Sequence, residues 1–185
     1  MLTAVSSFDE AALLRRIESG DENAFDKVYS RHQGPVYRYA LRVSGSPEIA
    51  EDVVQEVFLA LIRGAKGFDP GCGSLSSYLY GMARNHTFRQ LGASTSGVEL
   101  EEETAAPETD PLEGLTQAEQ VERVRSALAG LPAHYREIVA LCEMEEMPYA
   151  EVAEMLGLAV GTVRSRLHRA RALLLTRLSQ ESCRA

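Results

Sequence analysis

A chain of 185 residues, 45% hydrophobic and 25% charged, can bury the cores of one or two small domains, which excludes wholesale disorder. Its formal net charge of −8 excludes a protein that coats nucleic acid indiscriminately. Three widely spaced cysteines, Cys72, Cys142 and Cys183, form no disulfide framework, so a reducing, cytoplasmic setting is expected. No apolar run approaches the roughly 18 residues of a membrane span, and the start MLTAVSSFDEAALLRR lacks the layout of a signal peptide. Leu, Ala, Glu and Arg abound without long β-branched runs, which points to an all-α fold.

The first helix is expected over Asp9–Ser19, with Leu13, Leu14 and Ile17 on one face and a stop at Gly20. Asp21 can cap a second helix whose stripe is Ala24, Phe25, Val28 and Tyr29. Gly34-Pro35 should break or kink it, because proline lacks the amide and clashes with the preceding turn. Val36, Tyr37, Ala40 and Val43 then resume the period until Gly45. Ser46-Pro47-Glu48 is a strong helix start: a cap, a proline at the first position, and an acid at the positive end of the dipole. That helix should reach about Arg63, with Ile49, Val53, Val54, Val57, Phe58, Leu61 and Ile62 as its apolar face. Opposite lie Glu48, Glu51, Asp52, Gln55 and Glu56, a set that composition alone reads as solvated. Nothing nearby supplies the metal or pocket that catalytic carboxylates would need.

The glycine-rich loop KGFDPGCGS is no Walker loop, since no Gly-Lys-Ser/Thr follows. Ser74 caps the next helix, with Leu75, Tyr78, Leu79, Met82 and Ala83 inward and Arg84, Asn85, His86 and Arg89 ahead of Gly92. Arginine, asparagine and aromatics beside a loop can hold a strand with unstacked bases. From residue 93 to 115 the chain is small, acidic and proline-bearing, which predicts a flexible, self-repelling linker. About two dozen residues can span up to roughly 80 Å, more than two duplex turns of about 34 Å each.

Thr116 to Glu119 is a capping box opening a helix with Val121, Val124 and Leu128. Leu131-Pro132 starts another, with Ile138, Val139, Leu141 and Cys142 inward; His134 and Cys142 lack the paired spacing of a zinc site. Two further helices joined at Gly157 follow over Tyr149–Leu175. Val152, Ala153 and Leu156 face Val163 and Leu167, while Thr162, Arg164, Ser165, His168, Arg169 and Arg171 stand opposite. This is the pattern of a helix-turn-helix, whose second helix enters the major groove. Between Gln90 and Glu122 there are nine acids and no Lys or Arg; from Val160 onward six arginines face the single Glu181. A basic end on an acidic body suggests weak DNA binding alone, made useful by a partner.

With both ends read, the chain resembles a bacterial sigma factor of the extracytoplasmic-function group. DENAFDKVYSRH, AEDVVQEVFLALI, the FDP loop and YLYGMARN are similar to region 2; LPAHYREIVAL and YAEVAEMLGLAVGTVRSRLHRAR are similar to region 4. The resemblance implies two small helical domains, 1–92 and 116–185, joined by the linker at 93–115, the second carrying the helix-turn-helix. It also implies core RNA polymerase (the β′ clamp helices and the β flap), promoter DNA and an anti-sigma factor as partners. No cofactor, metal, membrane insertion or catalysis of its own is implied. Asp52, Gln55 and Glu56 match the polymerase-binding motif, which turns the solvated face into a partner surface. Phe68, Asp69, Gly71, Ser74 and Tyr78 match the segment capturing −10 bases, with Arg84, Asn85 and Arg89 at its edge. Arg164, Ser165, His168 and Arg169 match positions facing the −35 major groove, and Thr162, Arg166 and Arg171 suit phosphates.

Three departures stand out. Tyr78 replaces the family's usual Trp, and the chain has no Trp at all. HTFRQLG follows Asn85 where the family tends to carry an acid and more arginines. Ala159-Val160 opens the recognition helix in place of Ser-Pro, a lost side-chain cap that costs about 1 kcal/mol.

Overall fold

The computed structural model describes residues 7–64, 68–69, 73–92 and 116–182. Among them every regular element is helical, and the chain divides into two compact units, residues 1–94 and 95–185. Gly71, Cys72, Cys183 and the linker expected over 93–115 lie outside the described residues.

The first unit holds α1 (Ser7–Glu18), α2 (Glu22–Ser44), α3 (Pro47–Ile62) and α4 (Leu75–Gln90), with α2, α3 and α4 packed against one another. Its helices start where the sequence supplies oxygen caps. Asp21 accepts from the Ala24 amide, Ser46 from Ile49 and Ser74 from Ser77. Each such cap is worth about 1 kcal/mol. The Arg16 guanidinium, 2.7 Å from Asp21, holds that carboxyl below its usual range. Gly45 ends α2 at φ 76°, a left-handed conformation that a Cβ would disfavour.

Of the break or kink expected at Gly34-Pro35, the break does not occur: α2 runs through Pro35. One continuous stripe (Val28, His32, Val36, Tyr39, Ala40 and Val43) is buried on both sides of the proline, so tertiary packing offsets the lost hydrogen bond. The core is completed by Val53, Val57, Phe58, Leu61, Leu75 and Leu79. Tyr80 and Thr87 are buried where Tyr78 and Met82 were expected; the latter two are half-buried. Ile62, expected in the core, is 51% exposed.

The second unit holds α5 (Gln117–Ala129), α6 (Ala133–Val139), α7 (Tyr149–Leu156) and α8 (Val160–Ser182). Thr116 forms both halves of the capping box with Glu119. The stripe expected on α5 is rotated: Val121 and Val124 are exposed and Ala127 is the buried position. Helix α6 continues as a π-helical turn over Ala140–Met144, where Leu141 and Cys142 are buried. Burial pushes the Cys142 thiol up to about 11, with the neighbouring Glu143 adding to the shift. Gly157 ends α7 at φ 65°, and Val163, Leu167 and Ala170 of α8 are buried in the seam.

Candidate nucleic-acid interface

On α8 the buried positions 163, 167 and 170 leave the outer face to their complement. Arg164, Ser165, His168 and Arg169 are exposed there together, as the helical period requires. Thr162 and Arg166 are half-buried at the edge of this face. Ser165 Oγ donates back to the Thr162 carbonyl at 3.0 Å, and the amides of Thr162 and Val163 both donate to Ala159. The Arg166 charge and, more strongly, burial lower the pKa of His134 on α6. Arg171 is exposed but engaged: its Nη2 lies 2.5 Å from Glu143 Oε1, and that hydrogen bond raises its pKa. The α8 end of the surface is therefore tied to the π-helical turn, a link the local sequence gave no sign of.

In the first unit the structure brings Phe68 and Tyr78 together, ring centroids 5.5 Å apart and tilted by 60°. Burial raises the Tyr78 pKa, so its hydroxyl stays a neutral donor. Ser74 Oγ caps α4 and also lies 2.9 Å from Ser77 Oγ, so it is engaged in holding the turn under these rings. Farther along α4, the Arg84 guanidinium sits 5.1 Å from the centre of the Phe88 ring. Asn85 and Arg89 are exposed, and Arg89 Nη2 is 2.9 Å from His86 Nδ1. Burial, then the charge of Arg89, lowers the His86 pKa, while Glu56 on α3 opposes this. The neutral ring accepts from Arg89.

Asp52, Gln55 and Glu56 are all exposed on α3. Beside them runs an open groove of about 550 Å³ that the sequence reading missed. Phe25, Tyr29, Gln33 and Tyr37 line it from α2, and Glu51, Gln55, Phe58 and Ile62 from α3. Phe25, Tyr29 and Phe58 form an aromatic cluster, with Tyr29 and Phe58 only 4.8 Å apart. A signal was present: Phe25, Tyr29, Gln33 and Tyr37 recur every four residues, one place on from the buried stripe of α2. Among the described residues, no three His, Cys, Asp or Glu side chains converge as a metal site would require.

Two family models match the chain, Sigma-70 region 2 over residues 28–95 and Sigma-70 region 4 over residues 121–174. The ECF RNA polymerase sigma factor SigM of Mycobacterium tuberculosis is 34% identical over 165 residues, covering 89% of this chain and 82% of that protein. The chain belongs to the ECF sigma factors. SigE of Mycolicibacterium smegmatis is 32% identical over 177 residues; the match takes in 89% of this chain and 66% of that longer relative. SigW of Bacillus subtilis is 26% identical, with 87% and 92% covered. Among solved structures, the complex of CnrH with the cytosolic domain of CnrY matches at a TM-score of 0.67 and 26% identity, covering 92% of this sigma factor and 97% of that chain. The fold is also that of the sigma factor RpoE from Bartonella quintana, solved with the anti-sigma factor NepR, at a TM-score of 0.64 and 24% identity over 84% of this chain and 96% of that one. Phe68, Tyr78 and the α4 edge thus fall within the region 2 match, and the outer face of α8 falls largely within the region 4 match.

Proposed function

We propose that this chain is an alternative sigma factor that binds core RNA polymerase and directs it to particular promoters, without catalysis of its own. Residues 1–92 engage the polymerase and the −10 element, 93–115 link, and 116–185 engage the −35 element and the polymerase flap. The observation that carries the reading is the presence, in one chain and in family order, of two surfaces. One is the exposed Asp52, Gln55 and Glu56 face of α3; the other is the outer face of a helix-turn-helix carrying Arg164, Ser165, His168 and Arg169.

On this reading Asp52, Gln55 and Glu56 meet the β′ clamp helices. Phe68, Asp69, Gly71, Ser74 and Tyr78 hold unstacked −10 bases, with Arg84, Asn85 and Arg89 along the neighbouring backbone. In the second unit Arg164, Ser165, His168 and Arg169 read base edges in the major groove, where arginine pairs with guanine through two hydrogen bonds. Thr162, Arg166 and Arg171 position the helix on phosphates, Arg171 while one of its nitrogens holds Glu143. The protein works in the cytoplasm beside its polymerase; among the described residues no helix is long and apolar enough to cross a membrane. An anti-sigma factor holds it in reserve, a reading supported by CnrH having been solved with a second protein.

The test is reconstitution. Purified chain added to core polymerase should yield run-off transcripts from promoter fragments selected by the mixture. Failure of the chain to bind core overturns the reading.

A further inference from the structure

We propose that Glu10 is a positioning residue for the promoter-facing turn of α4, an inference that rests on the sigma-factor reading above. Glu10 is one of four buried polar or charged residues identified among the described ones, at 7% exposure. It occupies a core position: residues 10, 14 and 17 share one helical face, and Leu14 and Ile17 are buried in it. An apolar side chain at 10 would extend that stripe. A carboxyl there breaks the local pattern, and such a group persists inside only with a specific hydrogen-bond partner.

The partner lies 65 residues away. Glu10 Oε2 accepts from the backbone amide of Leu75 at 3.1 Å. Leu75 is the first residue of α4 and is itself fully buried. The opening amides of a helix have no partner within it. Here they are divided: Ser74 Oγ takes the Ser77 amide at 3.1 Å, and Glu10 takes Leu75. The same turn carries Tyr78, whose amide donates to the Ser74 carbonyl at 3.1 Å. Phe68 rests on the Tyr78 ring. Glu10 therefore anchors, from a separate helix, the turn on which the paired rings are mounted. Its carboxyl oxygen also sits at the positive end of the α4 dipole, where an acceptor is favoured.

Base capture needs the rings already in place, because apparent affinity falls with the fraction of molecules in the competent arrangement. Loss of the Glu10 cap should lower that fraction while leaving the α3 face alone. The experiment uses holoenzyme assembled from core polymerase and the full chain. Its probe is a fluorescent single-stranded oligonucleotide copying the non-template −10 segment of a promoter fragment selected by wild-type holoenzyme. Glu10→Ala should weaken oligonucleotide binding by up to about fivefold, the scale of a lost cap of about 1 kcal/mol, with affinity for core unchanged. Amide exchange at Leu75 in the full chain should speed up in parallel. Glu10→Gln keeps an acceptor oxygen at the same reach and should restore most of both. Glu10→Asp, one methylene short, should behave like Glu10→Ala and serves in its place if Glu10→Ala does not fold.

Faster exchange at Leu75 with undiminished oligonucleotide affinity overturns the inference, and so does an equal loss of core binding, which would mark general destabilisation. A wild-type chain that fails to bind core overturns the sigma-factor reading itself, and that measurement precedes any variant.

Discussion

His32 lies within the buried stripe of α2, and burial, reinforced by the charge of Arg31, pushes its pKa down to about 4. In the unfolded chain the same group titrates near 6.5. Above pH 6.5 it is neutral in both states and contributes no pH dependence. Between about 6.5 and 4 the unfolded chain takes up a proton that the folded chain refuses, so stability falls as pH falls through that window. The full difference corresponds to about 3 kcal/mol, reached only below pH 4. Replacing His32 by Leu, which keeps the site apolar, should flatten the decline of the thermal midpoint between pH 6.5 and 5; calorimetry across that range checks it. An unchanged slope would mean that His32 becomes charged in the folded state as readily as in the unfolded one. Arg171 teaches a related lesson about charge. Its guanidinium shares one nitrogen with Glu143, so a nearby carboxylate offsets part of the positive charge it would offer a phosphate.

The helix ends were legible because their causes are local. Asp21, Ser46, Ser74 and Thr116 cap the helices they were expected to cap, and Gly45 and Gly157 end theirs in left-handed conformations. Less legible was which apolar residues face inward. Val121, Val124 and Ile62 have helical spacing, but spacing does not name the partner that decides burial, and all three are exposed. The π-helical turn over Ala140–Met144 and the Glu10–Leu75 hydrogen bond left no local trace, since one shifts a hydrogen-bond register and the other joins residues 65 apart. On the outer face of α8, Arg164, Ser165, His168, Arg169 and Arg171 are exposed as expected because Val163 and Leu167 fix the seam opposite them, while Thr162 is half-buried at its edge. Pro35 shows tertiary packing overriding a local rule. It removes one backbone donor from the middle of α2 while the stripe stays buried on both sides. Pro35→Ala should restore that donor and raise stability by about 1–3 kcal/mol, seen as a higher midpoint in chemical denaturation. Gly34 beside it lines the aromatic groove.

At the scale of the whole molecule, charge is segregated along the chain. Seven acids (Glu99, Glu101, Glu102, Glu103, Glu108, Asp110 and Glu113) crowd the stretch that the sequence marks as an acidic linker, while α8 carries the arginines proposed to meet DNA. Like charges on one chain repel the phosphate backbone wherever they lie within a Debye length of it, about 10 Å at 0.1 M salt. The free chain should therefore bind duplex DNA poorly and depend on the polymerase to hold it against a promoter. Neutralising all seven to Gln or Asn removes most of the net charge of −8. Duplex binding by the chain alone should then strengthen, most clearly at low salt, because screening already hides the repulsion at high salt. Promoter binding by the assembled holoenzyme should change much less, since polymerase contacts then supply the dominant attraction. Fluorescence anisotropy with one promoter duplex, run with and without core across a salt series, separates the two cases. Equal gains with and without core would show that these acids oppose DNA in every state of the protein. No gain in either would place these acids beyond the reach of the DNA and overturn the repulsion argument.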